Sequence, residues 1–474
     1  MGVIGSKTIR KFSVVGTRPI RPDGIEKVTG KALYGADLYA PNMLVGKMLR
    51  ISEAHARIKS INTSKAEKLP GVKAVITFKD FMKVKTNKSN DVLENCLANE
   101  KVLYDGHAIA AVAAINSNIA KKALNAIEFE LERLPFVIDV DNAMKKDSPV
   151  VQKGRKFENV SDKFSDNVTS FCSFGHGNLE DGYRKADKIV KRSFKTPSVH
   201  QGYIEPHACL ASMASDGTAD LWCCTQGQYN VRDICAKIMG IETNKLRVIA
   251  SEIGGGFGGK TTVFIEPIAL ALSLKSGQPV KIVMSREEVF KATGPTVSSS
   301  VDVKIGMSKE GMITAAHAVI RYEGGAFPNE TSEMGAQSAF AAYDLKAVKS
   351  EGYNVLTNRP AQAAYRAPGA PQAIFAVECV IDELCQELNL DPLSVRQINA
   401  AKKGTKAAYG PTFEDIGLAA TLEAAKNHPH YTAPLGPNQG RGLACGFWFN
   451  FGGNTCVSLN INFDGTVGIV EGNP

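Results

Sequence analysis

Six residues, Gly254-Gly255-Gly256-Phe257-Gly258-Gly259, constrain this chain more than any other stretch, and five of them lack a β-carbon. Such a backbone takes positive φ values readily and lets a ligand come close to its N–H groups. Residues 245–250 before it read as a short buried strand, and residues 264–274 after it read as an apolar helix. Strand, glycine loop and helix together make an anion-binding arrangement, because loop amides and a helix N-terminus converge on one point.

Two short motifs fit this stretch at once. Gly254, Gly256 and Gly259 satisfy the dinucleotide fingerprint G-x-G-x-x-G, while Gly254, Gly259, Lys260 and Thr261 satisfy the phosphate-loop pattern G-x-x-x-x-G-K-[ST]. A phosphate-loop hydrolase needs an aspartate closing a second apolar strand to hold magnesium. The best candidate is Val380-Ile381-Asp382, but that segment has helical periodicity. A dinucleotide fold wants an acidic residue about 20 positions beyond the loop. Gln278-Pro279-Val280-Lys281 stands there instead. The flanking chain supports neither motif.

A length of 474 residues gives two to four domains and ample core. Apolar residues at 44% and charged residues at 22% are the fractions of a globular protein. The net charge of +8 is scattered, with no basic run of five, so a nucleic-acid partner is not expected. No apolar run approaches the roughly 18–20 residues of a membrane span. The N-terminus lacks an apolar stretch before a small-residue cleavage site. Ten cysteines occur without a C-x-x-C pair, which argues against zinc or iron–sulfur sites in this chain. Buried thiols in a reducing cytoplasm are the expectation.

Residues 1–20 read as a lead-in and 21–143 as a mixed α/β domain. The latter carries strands near 44–51 and 74–76, an apolar run at 108–115 and a helix capped by Asn116-Ser117. Residues 144–175, rich in Lys, Asp and Ser, read as a linker. A second domain over 176–433 shows strands near 188–194, 221–225, 280–284 and 301–305, a long helix over 373–388 and a further helix from Pro392. Residues 434–474 open a third domain with a hairpin at 457–470 turning on Asp464-Gly465. Gly472-Asn473-Pro474 follows a strand with no closing helix, so this last domain is expected to be truncated or completed by another chain.

Taken together, the landmarks resemble the molybdenum-cofactor subunit of the xanthine dehydrogenase and aldehyde oxidase family. The segment around Gly24-Ile25-Glu26-Lys27-Val28-Thr29-Gly30 and Ala54-His55-Ala56-Arg57-Ile58 is similar to its N-terminal hammerhead domain. Glu205-Pro206-His207, Thr225-Gln226, the glycine run, Ala364-Tyr365-Arg366-Ala367-Pro368-Gly369 and Arg441-Gly442-Leu443 fall in the family's order and spacing. The resemblance implies an α+β architecture: a hammerhead-like α/β domain, then mixed α/β molybdopterin-binding domains. It implies cofactor contacts at Gln226, Gly255, Gly256, Phe257, Gly258 and Arg366. The glutamine is expected beside an oxo or sulfido ligand of the metal. No protein ligand to molybdenum is required, because the pterin dithiolene holds it. Outside such a site each residue has a plainer role: a packed turn for the glycines, a surface amide for Gln226, an ion-paired arginine for Arg366, a helix cap for Glu205.

The implied reaction is hydroxylation of an electron-poor C–H bond with oxygen from water. The substrate classes are N-heterocycles, aldehydes and aromatic thioesters. Iron–sulfur clusters and FAD are expected on partner subunits, and a second molybdopterin-domain chain is a further candidate partner. The catalytic glutamate base is expected outside this chain, which would be inactive without it. Ala367 stands where carbon-monoxide dehydrogenases carry a copper-binding cysteine, and Thr261 where purine oxidisers carry a glutamate. Those two substrates are therefore disfavoured. Pro368 replaces a frequent phenylalanine and implies a different pocket shape. The competing expectations are a non-catalytic assembly fragment and a nucleotide-binding protein using the 254–261 loop.

Overall fold

The apolar run at 108–115 falls almost wholly in a strand buried along its entire length, His107–Ala114. Ala111 and Ala113 face one core, while Ala110, Val112 and Ala114 face another. A strand with two buried faces needs cover on both sides. The helix Glu266–Ser276 supplies it on one face through Ile268, Ala269 and Leu272. The helix Ser117–Asn125 supplies it on the other through Ala120 and Ala123, with Asn116 capping that helix by accepting from the Ile119 N–H at 3.0 Å. The computed structural model describes residues 12–81, 87–153, 160–329, 331–449 and 457–471.

The sheet containing this strand has seven members and crosses the expected domain boundary. Its spatial order is Leu246–Ala250, Ala219–Cys223, Ala208–Met213, Val280–Val283, Leu44–Ile51, His107–Ala114 and Val72–Ile76. The join is the parallel pair of Leu44–Ile51 with Val280–Val283. Gly46 permits it, since a β-carbon there would lie 2.5 Å from Ile282 Cγ1. The early residues therefore share a sheet, and a core, with the region around the glycine run.

A second, five-stranded sheet has the order Val168–His176, Val348–Leu356, Ile313–Gly325, Ser299–Met307 and Lys188–Thr196. Its face is covered by the long helix Ala370–Glu387, whose Ala373, Val377, Val380, Ile381 and Leu384 are buried at helical spacing. Residues 168–175, read above as linker, lie in this sheet. The burial pattern of Val168–His176 explains the misreading: only its first two residues are fully buried, and the rest is mixed. Residues 1–11 of the lead-in and Gly472-Asn473-Pro474 lie outside the described residues. The hairpin Val457–Ile461 with Val467–Glu471 forms as read, Gly465 taking φ 81° at the turn. Among the described residues, no helix is long and apolar enough to cross a membrane.

The glycine run connects the edge strand Leu246–Ala250 to the helix Glu266–Ser276. It passes residues 203–207, which lead into Ala208–Met213, and residues 225–227, which leave Ala219–Cys223. It then meets residues 364–369, which lead into Ala370–Glu387. The loop thus sits where elements of the two sheets converge.

Candidate functional site

The glycines of the run are required one by one. Gly255 and Gly258 take φ 94° and 99°, and Phe257 between them takes φ 53°. A β-carbon on Gly254 would lie 2.5 Å from Glu205 Cβ, one on Gly256 would lie 2.3 Å from Gln226 Oε1, and one on Gly258 would lie 2.8 Å from the Ala364 carbonyl oxygen. The loop is therefore clamped among Glu205, Gln226 and Ala364. The left-handed region costs a non-glycine residue about 1–2 kcal/mol. Phe257 is nonetheless held there, its carbonyl accepting from the Arg366 N–H at 3.0 Å. Arg366 and Ala367 are themselves at φ 33° and 65°. Such strain concentrates where a structure serves a site.

Gln226 lies under the crest of the loop. Its Oε1 accepts from the Gly258 N–H at 2.9 Å and from the Lys260 N–H at 3.3 Å. Its own N–H donates to the Lys260 carbonyl at 2.9 Å. Two backbone donors on one oxygen fix which way the amide is turned. The NH2 end is then the end left to meet an acceptor. The N–H groups of Gly255, Gly256 and Phe257 have no hydrogen-bond partner among the described residues, and Phe257 is 46% exposed. The corner offers hydrogen-bond donors and an aromatic wall around a backbone that can be closely approached.

The structure brings together Gln226, Gly255, Gly256, Phe257, Gly258 and the backbone of Arg366. The Arg366 side chain itself is exposed. Sequence reasoning missed Gln201, which is buried, donates to the Gly294 and Ala364 carbonyls at 3.0 and 2.9 Å, and touches the loop at Gly259. Its Oε1 is buried and unpartnered. It also missed Tyr203, which binds His207 Nε2 through its hydroxyl at 2.7 Å beneath the loop. Burial first, then the neighbouring Lys260 charge, holds His207 well below the usual histidine range and neutral.

The phosphate-loop reading fails on Lys260. This side chain is 0% exposed and its Nζ lies 2.7 Å from Glu205 Oε2, leaving no ammonium group to reach a phosphate. Asp382 likewise lies within Ala370–Glu387 and pairs with Arg396 at 2.9 Å. Glu205 caps no helix; its carboxylate accepts from the Gly254 and Gly35 N–H groups.

Residues 160–400 match the molybdopterin cofactor-binding domain family, and residues 29–135 match the aldehyde oxidase and xanthine dehydrogenase a/b hammerhead domain. A probable xanthine dehydrogenase subunit of Bacillus subtilis is 32% identical over 86% of this chain and 54% of its own length. The nicotinate dehydrogenase large molybdopterin subunit of Eubacterium barkeri is 28% identical over 88% of this chain and 96% of its own length. The solved aldehyde oxidoreductase from Desulfovibrio gigas superposes with a TM-score of 0.83 at 27% identity, covering 95% of this chain and 51% of that one. Against the Bacillus and Desulfovibrio proteins, then, the chain spans about half of their length.

Proposed function

Because this chain belongs to the molybdopterin-binding subunits of the xanthine dehydrogenase and aldehyde oxidase family, we propose that it holds the cofactor of a molybdenum hydroxylase. The observation that carries this reading is the donor-lined corner formed by Gln226 and the 255–258 backbone. A bulky anionic cofactor fits such a corner. Glycines let it approach, free N–H groups meet its anionic edge, and the Gln226 amide presents its NH2 end. A molybdenum here would be held by the dithiolene of the cofactor rather than by protein side chains.

When bound, the cofactor would supply the two-electron chemistry that inserts an oxygen from water into an electron-poor C–H bond. The protein's part is orientation and exclusion. Gly255, Gly256, Phe257 and Gly258 would form the wall against it, Gln226 would donate to an oxo or sulfido acceptor, and the Arg366 loop would brace Phe257. Charge-assisted bonds from fixed amides are strong and need no reorganisation. No catalytic base is assigned within these residues; a glutamate from a further molybdopterin-domain segment or chain would complete the site.

The relatives are named as subunits of larger enzymes. On this reading iron–sulfur and FAD partners carry the electrons away, in the cytoplasm. Because Val168–His176 lies in the second sheet, the domain limits we propose are 21–143, 168–433 and 434 onward. The substrate belongs to the N-heterocycle, aldehyde or aromatic thioester classes. Ala367 disfavours carbon monoxide, and Thr261, whose hydroxyl donates to the Gly258 carbonyl at 2.9 Å, disfavours purines. The test is turnover by the native complex on a panel of these classes, in water enriched in heavy oxygen and with a dye as electron acceptor. A product carrying oxygen from water supports the proposal. A loaded complex whose product takes its oxygen from dioxygen contradicts it.

A further inference from the structure

We propose that the buried pair Lys260 and Glu205 is a clasp that sets the position of the glycine loop, so that both act as positioning residues for the cofactor wall. This inference rests on the cofactor reading above. Lys260 is 0% exposed and Glu205 is 8% exposed. A single carboxylate gathers three donors, two from the ends of the glycine loop and one from the early part of the chain. Glu205 Oε2 accepts from Lys260 Nζ at 2.7 Å and from the Gly254 N–H at 2.8 Å, while Oε1 accepts from the Gly35 N–H at 3.1 Å. Gly254 opens the loop and Lys260 closes it, so the two ends are tied through one side chain. The Glu205 N–H adds a return bond to the Gly254 carbonyl at 3.1 Å.

Lys260 also carries the clasp to the amide that faces the site. Its N–H donates to Gln226 Oε1, and its carbonyl accepts from the Gln226 N–H and from Thr225 Oγ1 at 2.9 and 3.1 Å. Its ammonium lies 4.8 Å from the centroid of the Tyr203 ring, which adds a cation–π contact in a desolvated place. Any shift of Lys260 therefore moves Gln226 and the loop ends together. Gly35 extends the clasp to the first part of the chain, where the Glu252 N–H also donates to the Leu33 carbonyl at 3.2 Å.

Stability alone does not account for such a pair. Desolvating two charges costs about as much as their attraction returns, and a well-packed apolar pair of the same volume often serves as well or better. What an apolar pair cannot do is aim. The carboxylate fixes the Gly254 and Gly35 N–H directions, and its geometry is enforced by the ammonium at the loop's far end.

The experiment uses the native complex and the double variant Glu205→Gln with Lys260→Met, which removes both charges at nearly constant volume. Three quantities are read: the melting temperature, hydrogen exchange of the peptide spanning 252–260, and molybdopterin per chain. The variant is expected to fold, to exchange that peptide roughly tenfold faster, and to lose most of its molybdopterin. Exchange unchanged from the wild type overturns the proposal, as does faster exchange with full molybdopterin content. Should the double variant not fold, Glu205→Asp keeps both charges, shortens the clasp by one methylene and is judged by the same readouts. A wild-type complex without molybdopterin overturns the cofactor reading instead; faster exchange in the variant then still identifies the pair as the loop's clasp.

Discussion

The side-chain oxygen of Gln226 accepts the backbone N–H of Gly258 at 2.9 Å, and this bond decides which end of the amide faces the site. Two variants separate its scaffolding role from its donor role. Gln226→Leu leaves the Gly258 and Lys260 N–H groups without their acceptor and should lower stability by about 1–3 kcal/mol. Gln226→Glu keeps an acceptor for both N–H groups but offers no donor. It should melt near the wild type and still lose cofactor or turnover several-fold. Melting curves with molybdopterin content check both; a fully loaded, active Gln226→Glu enzyme would refute the donor role.

Gly258→Ala should be far more damaging than Gly240→Ala. Both glycines have positive φ, 99° and 66°. A β-carbon on Gly240 meets nothing within 4 Å, whereas one on Gly258 meets the Ala364 carbonyl oxygen at 2.8 Å. Gly240→Ala should cost about 1–2 kcal/mol, the left-handed penalty alone. Gly258→Ala adds a backbone clash at the place where the two loops touch. Urea midpoints of the two variants give the comparison, and equal shifts would mean that the close approach carries no energy.

His107 makes stability depend on pH. Its Nδ1 accepts from the Leu103 N–H at 3.2 Å, so its Nε2 carries the proton and donates to the Glu94 carbonyl at 2.6 Å. Burial pushes it down to about 4 from an ordinary 6.5. The unfolded chain therefore takes up the proton first as pH falls. The contribution is complete above about pH 6.5 and is lost on the way down to about 4, worth on the order of 3 kcal/mol. His107→Gln should flatten the acid limb of the stability curve across that window. An unchanged slope would show that His107 does not carry it.

A second buried cluster holds the long helix in place. Arg396 is 0% exposed and donates to Glu378 at 2.8 Å, to Asp382 at 2.9 Å and to the Pro392 carbonyl at 3.1 Å. Glu378 also takes the Cys445 N–H at 2.8 Å. Arg396→Met strands a buried carboxylate and should cost about 3–5 kcal/mol. Adding Glu378→Gln should recover much of that loss, which chemical unfolding of the single and double variants will measure.

The sequence revealed what is local. The apolar 108–115 run, the helical spacing of Val377, Val380, Ile381 and Leu384, and the Asp464-Gly465 turn all carry their structure in neighbouring residues. The helix Gln228–Met239 went unread: Val231, Cys235 and Ile238 are buried at helical spacing before a left-handed Gly240, but its polar start hid the pattern. Pairings between distant residues left no local mark. Nothing near Leu44 announces Val280, and nothing near Lys260 announces Glu205. The G-K-T pattern even pointed the wrong way, because a phosphate-loop lysine must reach solvent and this one is buried. Gln201 could have been suspected only from its place just before Glu205-Pro206-His207.

The central claim is that the corner of Gln226 and Gly255–Gly258 holds a molybdopterin. Quantifying molybdenum and pterin in the native complex, from cells grown with ample molybdate, tests it most directly. The account predicts near one of each per chain, with both falling in Gln226→Glu. An intact complex that carries neither would contradict it.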